Sequence, residues 1–290
     1  MKTKGIILAG GSGTRLYPAT AIINKQLQLV YDKPMIYYPL ATLMLAGIQD
    51  ILLISNEKDI PFFQKILKDG SHLGLNIQYQ IQKAPKGIAE AFLIGEDFIA
   101  NDQVSLILGD NIIYGKLDFY RNAIQNNRGG YIFGYEVTNP TEFGVVELSK
   151  SGEIISIEEK PKNPKSNYAI TGLYVFDNTC SKRTKELKPS KRNELEITDL
   201  QISYWKEGLL SCNLMGRGIA WLDTGTPENL TEAGMFIHSI EKRQGRKIAC
   251  LEEIALTRNY IDIEQFEKIL STLPECSYKN YCKKVLAEQK

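Results

Sequence analysis

Little in the chain would tie it to nucleic acid, to a membrane or to a disulfide scaffold. Its 35 Lys plus Arg are set against 34 Asp plus Glu, a formal net charge of +1 over 290 residues. Polyanion binding draws on counterion release by clustered excess cations, so the balance argues against a polyanion-coating protein, and no nucleic-acid partner is expected. A small phosphorylated ligand needs only a few local cations and stays open. The five cysteines (Cys180, Cys212, Cys250, Cys276, Cys282) are an odd number without CxxC spacing. That argues against a disulfide framework or a zinc ribbon and fits a reducing compartment. No apolar run approaches the length that spans a bilayer. After Met1-Lys2-Thr3-Lys4 the chain enters a strand without a signal-peptide profile. The expectation is a cytoplasmic protein with no membrane partner. Histidine is scarce as well: His72 and His238 are the two present, and neither stands at triad or metal-ligand spacing. Structural or surface places are expected for both.

What is present is an alternation of short apolar strands and helical patterns. Strands are predicted at 5–8, 51–55, 77–80 and 104–108, with helices at 35–46 and 88–98. Such alternation predicts an α/β fold with a mostly parallel sheet covered on both faces. Ligands then sit beyond the carboxyl ends of the strands. The glycines after Leu8 and the Gly109-Asp110-Asn111 turn after Leu108 both fall there. From Tyr131 the texture becomes β-rich, with strands at 131–137, 145–148, 154–158 and 169–176. Thr226-Pro227-Glu228 opens a helix that stops at Gly245, and Asp262 caps another with Ile263, Phe266, Ile269, Leu270 and Leu273 on one face. With no linker or repeat, one continuous unit over 1–290 is expected.

GIILAGGSGTRLYP, residues 5–18, ends a buried-looking strand in three glycines. The run fits no common glycine signature. No lysine follows Gly13 as a P-loop requires, the third position of GxGxxG counted from Gly11 holds Leu16, and Thr14 replaces the second glycine of GxSxG. What remains is a row of backbone N–H groups flanked by Arg15 and Lys25. It reads either as an anion nest suited to a triphosphate or as a plain glycine turn with solvated charges.

The wider pattern is more specific. GIILAGGSGTRLYPAT, Lys25-Gln26-Leu27, YDKPMIYYPL (31–40), LMLAGI (43–48), LGDNI (108–112), FGVVEL (143–148), EEKP (158–161), ELEITD (194–199) and GRGIAWLDTGT (216–226) follow one another in order. Over essentially the whole chain they resemble the sugar-nucleotide pyrophosphorylases, in particular the branch joining dTTP to glucose 1-phosphate to give dTDP-glucose and pyrophosphate. The resemblance implies a Rossmann-like, mostly parallel mixed sheet with helices on both faces. It also implies a β-rich sugar-binding elaboration and C-terminal helices. Within the single nucleotidyltransferase domain, a nucleotide-binding part is expected over about 1–130, a sugar-binding part over about 131–225 and a helical part over about 226–290.

Attack of a sugar phosphate on an α-phosphorus joins two anions, so catalysis rests on cations and alignment rather than on a covalent intermediate. By resemblance Arg15 holds the leaving pyrophosphate, Lys25 neutralises the α-phosphate, and Asp110 and Asp223 bind Mg²⁺. Leu8, Gly10, Gly11, Ser12, Gly13, Thr14, Gln26, Gln82 and Gly87 surround the nucleotide, with Gln82 and the backbone at Gly87 reading the base. Asn111, Gly144, Glu159, Lys160, Thr171, Gly172 and Arg192 take the sugar phosphate. The family also implies a homotetramer and a deoxysugar-nucleotide feedback inhibitor at a second site. The chain departs from the family pattern at Gln28, Leu29, Glu90, Phe143 and Asn193, of which Glu90 puts a carboxylate beside the expected base pocket. A non-catalytic nucleotide-sugar sensor would dispense with Arg15, Lys25, Asp110 or Asp223, and all four are present. A dinucleotide-dependent oxidoreductase fails on the GxGxxG spacing.

Overall fold

Ile6 and Ile7 point to opposite faces of the first strand, and both are fully buried. In the computed structural model, which describes residues 2–11 and 13–289, β1 (Thr3–Leu8) therefore lies inside a sheet covered on two sides. A short antiparallel hairpin, β2 (Leu29–Val30) and β3 (Lys33–Pro34), and helix α1 (Tyr37–Leu45) precede β4 (Asp50–Ser55). Helix α2 (Ile60–Leu67) leads to β5 (Asn76–Ile81), and α3 (Glu90–Ile94) and α4 (Glu96–Ile99) lead to β6 (Gln103–Leu108). β6, β1, β4 and β5 run parallel in that spatial order. Their register sets Leu8 beside both Leu108 and Ile54, so three strand ends meet at one rim.

The two helices expected in this half differ from the prediction. The first begins at Tyr37, with Met35 and Ile36 fully buried ahead of it. The second is broken at Gly95, where a side chain would lie 3.0 Å from Ile6 and 3.1 Å from Leu52. Glycine lets that turn press directly on the sheet, which hydrophobic spacing alone does not signal.

The β-rich half contains β7 (Asn111–Tyr114), helix α5 (Asp118–Asn126), β8 (Gly130–Glu136), β9 (Gly144–Leu148), β10 (Ile154–Glu159) and β11 (Tyr168–Phe176). β11 pairs antiparallel with β6 and so fuses both halves into one sheet. It shares its other edge between β8 and β9, and its pairing with β8 is interrupted between Ile170 and Tyr174. Helices α6 (Cys180–Lys185) and α7 (Ile197–Lys206) follow, then β12 (Leu210–Leu214) beside β8. β13 (Ala220–Asp223) joins β7 in a separate antiparallel pair that sets Asp223 opposite Asn111. β7, β12 and β13 were not foreseen; each is four or five residues long.

Local capping ends the chain as expected. Thr226 Oγ1 accepts from Asn229 N–H (3.2 Å) at the start of α8 (Pro227–Gln244), and Gly245 closes it at φ +61°. After α9 (Leu251–Thr257), Asp262 accepts from Gln265 N–H (2.7 Å) and opens α10 (Ile263–Thr272), which α11 (Ser277–Gln289) follows. All five cysteines are free; Cys250 and Cys282 share a thiol hydrogen bond at 3.8 Å rather than a disulfide. Among the described residues no helix is long and apolar enough to cross a membrane.

Candidate active site

The glycine run begins where β1 leaves the sheet. Ala9 N–H still donates to Ile54 O (2.7 Å), while Ser55 Oγ and Asn24 Nδ2 donate to Ala9 O at 2.8 and 3.4 Å. Gly13 turns at φ +60°, where a Cβ would fall 2.7 Å from the Thr20 methyl. A single 3-10 turn, Thr14–Leu16, then leaves Arg15 exposed. A second turn, Lys25–Leu27, is capped by Asn24, whose Oδ1 accepts from Gln26 N–H (2.8 Å). That cap turns Lys25 inward: it is 6% exposed and donates to Asp110 Oδ2.

Asp110 sits at the tight step from β6 to β7. Thr224 holds the Asp110 carbonyl through Oγ1 (2.8 Å) and N–H (3.2 Å), which fixes the spacing to Asp223. Asn111 acts as a joint: its Oδ1 accepts from Gly172 N–H (2.9 Å) and Trp221 Nε1 (2.7 Å), and its Nδ2 donates to Asp110 Oδ1 (2.9 Å). Burial, and next the facing Asp110, push the Asp223 carboxyl up to about 6, against the pull of Lys25 and Arg15. A Cβ on Gly225 would lie 3.0 Å from both Arg15 Nη2 and Asp223 Oδ2, so the guanidinium hangs over that glycine. Two carboxylates and two cations thus meet beside the glycine run. Paired hard oxygen donors next to a phosphate-sized space suit Mg²⁺, which takes one or two carboxylates and completes its shell with phosphate oxygens and water.

On one side of this cluster lies Gln82, 5% exposed. Its Oε1 fills the space a Gly10 side chain would need, and its Nε2 donates to Glu90 Oε2 (2.7 Å). Gly87 stands at φ +100° with no room for a Cβ beside the Leu195 backbone. Hydrogen bonds from Leu195 N–H to Lys86 O (2.7 Å) and from Ala89 N–H to Leu195 O (3.2 Å) clamp that loop to the entrance of α7.

On the other side Glu159 accepts from Thr198 Oγ1 (2.5 Å) and lies near Gly144. Arg192 is ringed by Glu196, Glu194 and Glu159 at 2.8, 3.4 and 3.5 Å, which raises its proton affinity further, hydrogen bonding to Glu196 first. Lys160 adopts φ +43°, and its N–H donates to Phe143 O (3.1 Å). The Tyr174 hydroxyl is held neutral by burial and then by Glu159 and Asp110.

Comparison with known proteins decides the family. The profile described as Nucleotidyl transferase matches residues 4–240. The chain belongs to the nucleotidyl transferase family. The glucose-1-phosphate thymidylyltransferase of Neisseria meningitidis is 51% identical over 285 residues, covering 98% of this chain and 99% of that protein. That of Mycobacterium tuberculosis is 50% identical over 284 residues, with the same coverage. Among solved structures, a Bacillus anthracis glucose-1-phosphate thymidylyltransferase in complex with a sucrose superposes with a TM-score of 0.76 at 41% identity. It covers 81% of this chain and 94% of that one. A UDP-glucose pyrophosphorylase bound to UDP-glucose gives 0.73 at 26% identity, covering 83% and all of it.

In this nucleotidyl transferase most residues expected at the site line one cleft of about 320 Å³. Leu8, Gly11, Arg15, Gln82 and Gly87 form one wall, and Asp110, Asn111 and Asp223 the floor. Gly144, Glu159, Lys160, Gly172 and Arg192 form the other wall. Gly10, Gly13, Thr14, Lys25 and Gln26 do not line it: Lys25 and Gln26 are buried beneath the surface, and Thr14 is exposed outside the cleft. Thr171 is fully buried with its hydroxyl unpartnered, and its neighbours Ile170, Gly172 and Tyr174 make the wall instead. Alternation along β11 turns the threonine to the other face. Ser12 lies outside the described residues. His72 is half-buried and His238 is exposed beside the Tyr31 ring; neither lines the cleft.

Several wall residues escaped the sequence reading: Tyr174, Thr198, Gln201, Trp221 and the carboxylates Glu194 and Glu196. Tyr174 follows from period-two spacing after Gly172. Gln201 is fully buried with both amide atoms unpartnered behind Thr198; nothing in its helical surroundings marks it in sequence.

Proposed function

We propose that the protein joins dTTP to glucose 1-phosphate, giving dTDP-glucose and pyrophosphate. The observation that carries this is the convergence of Lys25, Asp110, Asp223 and Arg15 between Gln82 on one wall and Glu159 and Lys160 on the other. An oxygen of the sugar phosphate attacks the α-phosphorus; the new P–O bond forms as the bond to the bridging β-oxygen breaks, and pyrophosphate leaves with that electron pair. Both partners are anions, so the barrier lies in bringing them together. Lys25 neutralises the α-phosphate, Arg15 receives the departing pyrophosphate, and the glycine-loop N–H groups orient the triphosphate. Gln82 meets the pyrimidine edge, while Glu159 accepts from sugar hydroxyls and Lys160 meets the sugar's phosphate. Asp110 and Asp223 hold the Mg²⁺, which when bound neutralises phosphate charge and relieves the repulsion between the two carboxylates.

The finer reading includes a homotetramer, a cytoplasmic place in deoxysugar-nucleotide (dTDP-rhamnose) synthesis, and feedback by a deoxysugar nucleotide. Support for an oligomer comes from Leu29, Tyr31 and Met235, which stay exposed where α8 packs on β2. Support for a second site comes from a cavity of about 570 Å³ between α1 and α9, with Lys116, Arg246 and Lys247 on its walls. The test is pyrophosphate release with each substrate omitted in turn. Release that requires both dTTP and glucose 1-phosphate is expected; a burst of pyrophosphate with dTTP alone would show a covalent intermediate and overturn the mechanism.

A further inference from the structure

We propose that Glu90 sets nucleobase selectivity by fixing which way the Gln82 amide faces. This rests on the reading that Gln82 meets the base. An ionised carboxylate only accepts hydrogen bonds. Gln82 Nε2 donates to Glu90 Oε2 at 2.7 Å, and a half turn of the amide would set Oε1 against that oxygen with no proton between them. The carboxylate is itself anchored, since Lys86 N–H donates to the same oxygen at 3.3 Å. Gln82 therefore presents Oε1, lodged over Gly10, as a fixed acceptor on the wall of the cleft.

The two pyrimidine classes differ at the atom such an acceptor meets. Thymine and uracil carry a proton on N3, whereas cytosine N3 is an acceptor. A free glutamine could turn its amide to suit either. Held by Glu90, it accepts from N3–H and meets cytosine with two facing lone pairs, a mismatch that a buried polar site punishes. A glutamine at position 90 could face Gln82 with either end of its own amide, so the direction would no longer be imposed. The carboxylate at this position thus adds selectivity for the imide edge while leaving thymine and uracil alike.

The measurement is the ratio of kcat/KM for dTTP to that for dCTP, by pyrophosphate release with saturating glucose 1-phosphate and Mg²⁺. Replacing a charge-assisted hydrogen bond by a neutral one should lower the ratio in Glu90→Gln roughly tenfold, through the nucleotide KM. The KM for glucose 1-phosphate should not move, a split that a general loss of structure would not give. Gln82→Ala is measured beside it. If Gln82→Ala lowers the ratio and Glu90→Gln does not, the role of Glu90 is overturned while the base pocket stands. If Gln82→Ala leaves the ratio intact, the base is read elsewhere and both readings fall. Should Glu90→Gln not fold, Glu90→Asp keeps the charge but falls short of Gln82, and the same drop is expected.

Discussion

Asp223→Asn should stabilise the metal-free protein while removing its activity. In the native state the Asp223 carboxyl titrates at about 6, against an ordinary 3.8, because burial and then Asp110 disfavour its charge. The native state therefore holds this proton more tightly than the unfolded chain does. The cost to folding is fully present above pH 6, shrinks as the pH falls through that value, and is gone below the ordinary one. A shift of about two units corresponds to a cost of about 3 kcal/mol at pH 8. Asparagine removes that cost and keeps an oxygen to accept from the Gly225 N–H that Asp223 now engages. Thermal melts in chelator at pH 8 should show the variant higher by roughly 5 °C or more. The difference should close towards pH 5. Mg²⁺ should raise the melting temperature of the unsubstituted protein and leave the variant nearly unmoved, and turnover should fall about 100-fold or more. A variant that melts at or below the unsubstituted protein in chelator at pH 8 would refute the reasoning.

Three other substitutions probe the phosphate and base ends of the site. Lys25→Ala should lower kcat by about 100-fold, the usual cost of one preorganised charge contact, in steady-state pyrophosphate release. Gly10→Ala forces Gln82 Oε1 from its place, so the KM for dTTP should rise roughly tenfold with the KM for glucose 1-phosphate unchanged. Gly87→Ala combines φ +100° with a clash against the Leu195 backbone. It should cost about 1–3 kcal/mol in denaturant melts as the clamp between Lys86 and Leu195 opens.

What was legible in the sequence was local. The glycine run after β1, the caps at Thr226, Gly245 and Asp262, and the carboxylates ending apolar stretches each follow from a few neighbouring residues. What was not legible depends on parts distant in the chain. The break between α3 and α4 is set by Ile6 and Leu52 pressing on Gly95. From its neighbours alone Lys25 read either as part of an anion nest or as a solvated charge, and only the folded chain shows it buried against Asp110 beside the Asn24 cap. Thr171 was expected beside Gly172 at the sugar phosphate but faces away from the cleft, since neighbouring residues of a strand point to opposite sides. Arg192 read as a free phosphate ligand, and only the folded chain shows the three glutamates that ring it. The meeting of Asp110 with Asp223 needed the β7–β13 pair, two strands too short to stand out in the sequence.

A crystal structure with dTDP-glucose tests the central claim most directly. The account predicts thymine against Gln82, the phosphates between Lys25 and Arg15, and glucose beside Glu159. Density for the nucleotide in the cavity by Tyr114 and Arg246, with the glycine-loop cleft left open, would contradict it.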